Sequence, residues 1–209
     1  MLQEPGKGMP SGRAVVLYES FFGNTARMAE AVAEGLRLEG WSATVVDVAT
    51  ADDSATRGAT RGATRGATGV ATCGATEGID LLVVGAPTHA FSLSRPTTRA
   101  EAVSRGGRPT YERGGMREWL AQLDTSHETR LAAAFDTRVT KMRHLPASGA
   151  RRTAHLLRSK GYRLVVSPHG FLVRDVEGPL EPHQTEDAIA WGRAAAREAQ
   201  VARAASHLA

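Results

Sequence analysis

Short apolar, β-branched runs alternate along the chain with stretches in which apolar residues recur every three or four positions. The first run is Ala-Val-Val-Leu-Tyr at 14–18. Within 25–40, Met28, Ala29, Val32 and Leu36 fall at helical spacing, Arg27, Glu30, Glu34 and Arg37 lie elsewhere on the wheel, and Gly40 supplies a stop. The same pattern predicts strands at 41–48, 79–85, 131–135 and 163–173, the last liable to break near Pro168. Helices are expected at 116–123, at 149–160 and from 185 to about 205. Alternating strands and helices argue an α/β domain with a five-stranded parallel sheet covered on both faces, because parallel strands need long, right-handed crossovers.

The second crossover breaks this rhythm. Residues 55–78 are six consecutive Ala-Thr-x-Gly-like tetrapeptides, one of them permuted to Ala67-Thr68-Gly69-Val70. The period is too short for a solenoid, and each Gly costs a helix roughly 1 kcal/mol relative to Ala. A flexible insertion is expected where the second helix of such a sheet should sit. Long loops add little closure entropy, so a tolerated surface expansion explains the repeat without invoking a partner-binding arm of Arg57, Arg61 and Arg65.

Composition narrows the class. At 209 residues and 42% hydrophobic, the chain fits one domain, expected at 13–205 behind a loose tail at 1–12 rich in Pro and Gly. The formal charge of +4 comes from scattered basic residues offset by 22 acids, which makes nucleic acid a poor partner. Cys73 is the sole cysteine, so no internal disulfide framework exists. No run approaches the ~18 apolar residues of a membrane span. A cytoplasmic protein without a membrane partner is expected. The histidines show no metal-ligand spacing, and no metal site is expected.

Candidate chemistry lies where strands end. Residues 19–25, Glu-Ser-Phe-Phe-Gly-Asn-Thr, join the first strand directly to the first helix. Such an elbow leaves the first turn's N–H groups unpaired and aimed at an anion, and Gly23 lets backbone approach closely. Ser20, Asn24 and Thr25 add hydrogen-bonding side chains. In an open parallel sheet ligands bind beyond the carboxyl ends of the strands, where strand order reverses. Two further segments arrive there: 86–92 after the third strand, containing Pro87, Thr88, His89, Ala90 and Phe91, and Asp136, Thr137, Arg138 and Val139 after the fourth. No Gly-x-Gly-x-x-Gly follows a strand, no Gly-x-x-x-x-Gly-Lys-Ser/Thr occurs, and Gly85 and Ala86 stand where a phosphoacceptor domain would carry Asp.

These motifs resemble the short-chain flavodoxins, from about Arg13 to the last helix. Ser20-Phe21-Phe22-Gly23-Asn24-Thr25 is similar to that family's hydroxyl-rich phosphate loop, and Gly85-Ala86-Pro87-Thr88-His89 to its second flavin-contacting loop. The resemblance implies a flavodoxin-like three-layer sandwich with strand order 2-1-3-4-5 and FMN as cofactor. It further implies that the Ser20 and Thr25 hydroxyls and the N–H groups of residues 22–25 hold the phosphate. Pro87 to Phe91 would then flank the isoalloxazine, Phe91 stacking on it, and Asp136 to Val139 would face ring or ribityl from the far side. Phe22 stands where the family commonly has Thr, which removes one phosphate hydroxyl. The segment after Phe135 lacks the Gly-Asp and Tyr pattern of electron-carrying flavodoxins, and the chain is basic where those carriers are usually acidic.

The implied function is an FMN-binding redox protein, either an electron carrier or a flavin-dependent reductase of a small acceptor. The alternative is a non-catalytic scaffold of the same fold, binding flavin weakly or not at all. His89 is placed either to relay protons near the ring or to make one structural hydrogen bond. The basic segments at 95–113 and at Lys141 and Arg143 suit an anionic nicotinamide cofactor or a protein redox partner. Trp41, Trp119 and Trp191 sit in apolar patterns that packing explains.

Overall fold

In a computed structural model that describes residues 11–51, 78–111, 114–125 and 130–207, six strands form one parallel sheet. The strands are β1 (Arg13–Tyr18), β2 (Ser42–Asp47), β3 (Leu81–Pro87), β4 (Arg130–Val139), β5 (Tyr162–Leu164) and β6 (His169–Val173). Their order is β2-β1-β3-β4-β5, with β6 also paired to β4. The helices are α1 (Asn24–Leu38), α2 (Pro96–Ser104), α3 (Met116–Gln122), α4 (Gly149–Ser159) and α5 (Gln184–His207). The repeat at 55–78 lies, but for Gly78, outside the described residues.

The alternation of side chains on the central strands divides the interior into two cores. Val16, Val83 and Ala133 stand on one face and pack with Met28, Val32 and Leu36 of α1 and Ala195, Ala196 and Ala199 of α5. Leu17, Leu82, Val84, Ala132 and Ala134 stand on the other, with Trp119 and Leu120 of α3 and Ala154 and Leu157 of α4. Burial on both faces is why β3, Leu-Leu-Val-Val-Gly-Ala-Pro, lacks polar alternation. Helices α1 and α5 meet backbone to backbone. A Cβ on Gly35 would lie 2.2 Å from the Ile189 carbonyl oxygen, and one on Gly192 would lie 2.4 Å from that of Val32. Beyond this crossing, Glu39 accepts hydrogen bonds from Arg197 and Arg193, which hold its carboxyl down to about 2.

Three departures from the sequence pattern bear on the site. The fifth strand is split at 165–168, and its halves pair with different parts of β4: Tyr162 opposite Arg130, and His169 opposite Phe135. Because β6 supplies edge partners, β4 runs on to Val139 instead of stopping at Phe135. Asp136 to Val139 are therefore strand residues, not a loop. Finally, α2 occupies a segment whose apolar periodicity is too weak to predict a helix; of its residues only Arg99 and Ala102 are buried.

Candidate functional site

The carboxyl ends of β1, β3, β4 and β6 border a cleft of about 230 Å³. At the β1 end the chain turns without pause into α1. Glu19 N–H donates to Gly85 O at 3.0 Å and Ser20 N–H to Tyr111 Oη at 2.9 Å. The next six N–H groups, Phe21 to Ala26, have no partner among the described residues, and pairing resumes with Arg27 N–H to Gly23 O at 3.0 Å. Gly23 sits at φ 85°, in the left-handed region that glycine enters without steric cost, and so caps α1. The Ser20 hydroxyl is buried at the cleft and also unpaired. A run of free donors beside an orphaned buried hydroxyl is what an oxyanion requires.

The cradle rests on polar supports that motif reading missed. Tyr111 Oη, which accepts from Ser20, donates to the Asp47 carboxylate at 2.9 Å. Burial, with Asp47 nearby, pushes the phenol far above its usual range and keeps that donor protonated. Glu19 is fully buried beneath the elbow. Its carboxylate accepts from the Ser94 hydroxyl at 2.6 Å and from Met116 N–H at 2.9 Å. Burial raises its pKa, and these hydrogen bonds and Arg99 oppose the rise. Arg99 spends its own charge on Glu118, at 2.9 Å.

The structure places the other expected residues unevenly. Pro87, Thr88, His89 and Ala90 line the cleft. His89 and Ser92 exchange backbone hydrogen bonds of 2.8 and 3.0 Å across a turn whose central residues, Ala90 (φ 44°) and Phe91 (φ 65°), are left-handed without being glycine. Such residues cost on the order of 1–3 kcal/mol each, and the surroundings must hold them. Arg117 does so, donating to Ser92 Oγ, Leu93 O and Ser94 O. Phe91 stands at the tip with 49% of its surface exposed, outside the cleft wall. The His89 ring lies 5.0 Å from that of Phe21, and burial lowers its pKa.

On β4, Thr137, Arg138 and Val139 line the cleft. Asp136 does not: its buried carboxylate accepts from Arg138 Nε at 2.7 Å and from Ala150 N–H at 2.7 Å, so it serves the start of α4 and neutralises Arg138. Thr25 Oγ1 lies 2.7 Å from Thr137 Oγ1, and the Asn24 amide donates to Glu177 O at 3.1 Å. Phe22 lines the cleft near Gly107.

Pattern reading also missed a wall. Thr98, Glu101 and Ala102 come from α2 and Arg105 from its C-cap, and Met142, Val173 and Val176 from the segments after β4 and in and after β6. The expected basic rim at 95–113 is largely neutralised, with Arg99 on Glu118, Arg105 on Glu101 and Arg108 on Asp47. Ser94-Arg95-Pro96 carries the signal that would have revealed α2: an extended residue before a proline at the first helical position. Among the described residues no group of His, Cys, Asp and Glu could hold a metal ion, and no helix is long and apolar enough to cross a membrane.

A parallel sheet in this order, with a cleft where β1 and β3 part to opposite sides of the strand sequence, defines the flavodoxin-like fold. No family model matches the sequence, and no curated protein does. Solved structures do. A flavodoxin from the domain Archaea superposes with a TM-score of 0.56 at 17% identity, covering 90% of this chain and 99% of its own. Flavodoxin 2 from Bacillus cereus gives 0.57 at 14%, covering 89% and 99%. The flavodiiron core of Flv1 from Synechocystis sp. PCC6803 gives 0.57 at 15%, with 94% of this chain matched to 38% of that one.

Proposed function

We propose that this is a cytoplasmic FMN-binding redox protein that carries electrons or reduces a small acceptor through its flavin. The observation that carries this reading is the run of six unpaired N–H groups from Phe21 to Ala26 beside the orphaned Ser20 hydroxyl, opening into a cleft. A phosphate dianion satisfies both at once. Thr25 completes the set, and backbone donors offset the hydroxyl lost at Phe22. Bound FMN supplies one- and two-electron chemistry, and the protein's part is to seat, orient and shield it. His89 lines the cleft half-buried, and desolvation there lowers its pKa. A nicotinamide cofactor or a protein redox partner would supply the electrons.

Purification in the presence of FMN tests the reading through flavin absorption and fluorescence quenching. A Cβ on Gly23 meets nothing within 4 Å, so Gly23→Asp has room for its side chain, at the cost of strain at φ 85°, and places a carboxylate at the cradle. It should weaken FMN binding about tenfold or more through charge repulsion, while Gly23→Asn, with the same backbone strain and no charge, retains most of the affinity. Equal affinity in both variants would move the phosphate elsewhere. A colourless protein that quenches no flavin leaves the scaffold reading. Rapid mixing with NADPH or NADH then separates reductase from carrier by the rate of flavin bleaching.

A further inference from the structure

Beyond β6 the chain turns back on itself in a hairpin that no sequence motif announces. Val173 and Leu180 form an antiparallel bridge, Arg174 N–H donates to Pro179 O at 2.9 Å, and Glu181 N–H donates to Leu172 O at 2.9 Å. Its root is fixed to the end of β4: Thr140 Oγ1 lies 3.1 Å from Val173 O and 2.9 Å from Glu181 Oε1. Its tip rests on the phosphate cradle. The Asn24 amide donates to Glu177 O at 3.1 Å, and Gly178 lies so close that a Cβ there would stand 3.0 Å from both terminal atoms of Asn24. At the root the buried Val173 lines the cleft, and between root and tip Val176 does so while keeping 41% of its surface in water.

From this placement we infer that Asn24 is a positioning residue whose side chain clamps the hairpin as an apolar wall for the flavin, and is not a ligand of the phosphate. One of its two amide hydrogens is given to Glu177 O, while the backbone N–H groups around it remain free for the anion. What the clamp controls is the position of Val176, because Val173 is already fixed by its pairing with β4. A half-exposed valine in a cleft wall stabilises a bound ring or ribityl chain by leaving water with it, provided the wall stays in place. The clamp therefore acts on the part of the ligand that FMN shares with riboflavin. The inference rests on the flavin reading.

The experiment compares the wild type with Asn24→Ala and Asn24→Asp, the latter of similar size but unable to donate. Each is titrated with FMN and with riboflavin by fluorescence quenching, and hydrogen exchange of amides 175–178 is followed in the apoproteins. Asn24→Ala should bind FMN and riboflavin more weakly by one common factor, about five- to tenfold for the loss of one hydrogen bond, and Asn24→Asp should lose riboflavin by that same factor and FMN by more, because its carboxylate repels the phosphate. The FMN-to-riboflavin preference of Asn24→Ala should remain that of the wild type, and amides 175–178 should exchange faster in both variants. Loss of FMN affinity in Asn24→Ala with riboflavin affinity retained would make Asn24 a phosphate ligand and overturn the inference. Unchanged affinities would overturn it as well. Should the wild type bind neither flavin, the functional reading fails first, and unchanged exchange at 175–178 in the variants would then dispose of the clamp separately.

Discussion

A hydroxyl has one proton to give, and at Thr25 two acceptors compete for it. Thr137 Oγ1 lies 2.7 Å away, and the cradle needs the same proton for an anion. Both needs are met only if Thr137 donates to Thr25, leaving Thr25 free to donate outward. Thr137→Val removes that donor and lets Thr25 turn inward or stand unpaired. FMN affinity should fall about tenfold, the worth of a hydrogen bond to a charged group, with riboflavin affinity unchanged. Thr137→Ser should restore it. Equal weakening of both ligands in Thr137→Val would mean that the threonine shapes the cleft and does not orient a proton.

At the scale of elements, the sequence pattern located what local chemistry dictates. Apolar runs named the central strands, the elbow at Ser20 to Thr25 named the run of unpaired N–H groups, and Pro168 foretold the split edge strand. What it missed depends on partners distant in sequence. Nothing in Asp136 to Val139 says that they extend β4 until β6 lies beside them, and nothing in Tyr111 or Asp47 says that they hold Ser20 from across the fold. The α2 helix was missed because Arg99, its most buried large side chain, is polar and paired with Glu118. Contacts between elements also set the heaviest penalties. In Gly35→Ala the new methyl would meet a carbonyl oxygen of α5 at 2.2 Å, so α1 and α5 must separate. The expected loss is about 1–3 kcal/mol or more, read from the urea midpoint, and an unchanged midpoint would refute the close crossing.

The whole molecule titrates through groups that its packing shields from water. His89, half-buried at the cleft, and His169, exposed at the start of β6 but crowded by Phe171 and Trp191, are both held below the usual imidazole range by desolvation. Between their folded pKa values and the ordinary 6.5, the unfolded chain binds more protons than the folded one. Their contribution to stability is therefore whole above pH 6.5 and is lost as pH falls toward the folded values. Glu19 works in the opposite sense. Its folded pKa is raised, so its contribution is whole below the ordinary 4.5 and is lost as pH rises through the folded value. Urea midpoints followed on acidification should fall less steeply in a His89→Gln, His169→Gln variant than in the wild type. Parallel profiles would show that the two imidazoles are not the groups being charged.

The glycine-to-glycine seam between α1 and α5 also sets an order of events during synthesis. The core behind β1, β3 and β4 that receives Val16, Val83 and Phe135 is completed by Ala188, Ala195, Ala196, Ala199 and Ala202, residues that leave the ribosome last among those that build it. Until they emerge, α1 has its cradle but only half its cover. A nascent chain arrested ahead of Trp191 would present a greasy helix surface to chaperones, and the ligand cleft would take its final shape only after translation of the closing helix.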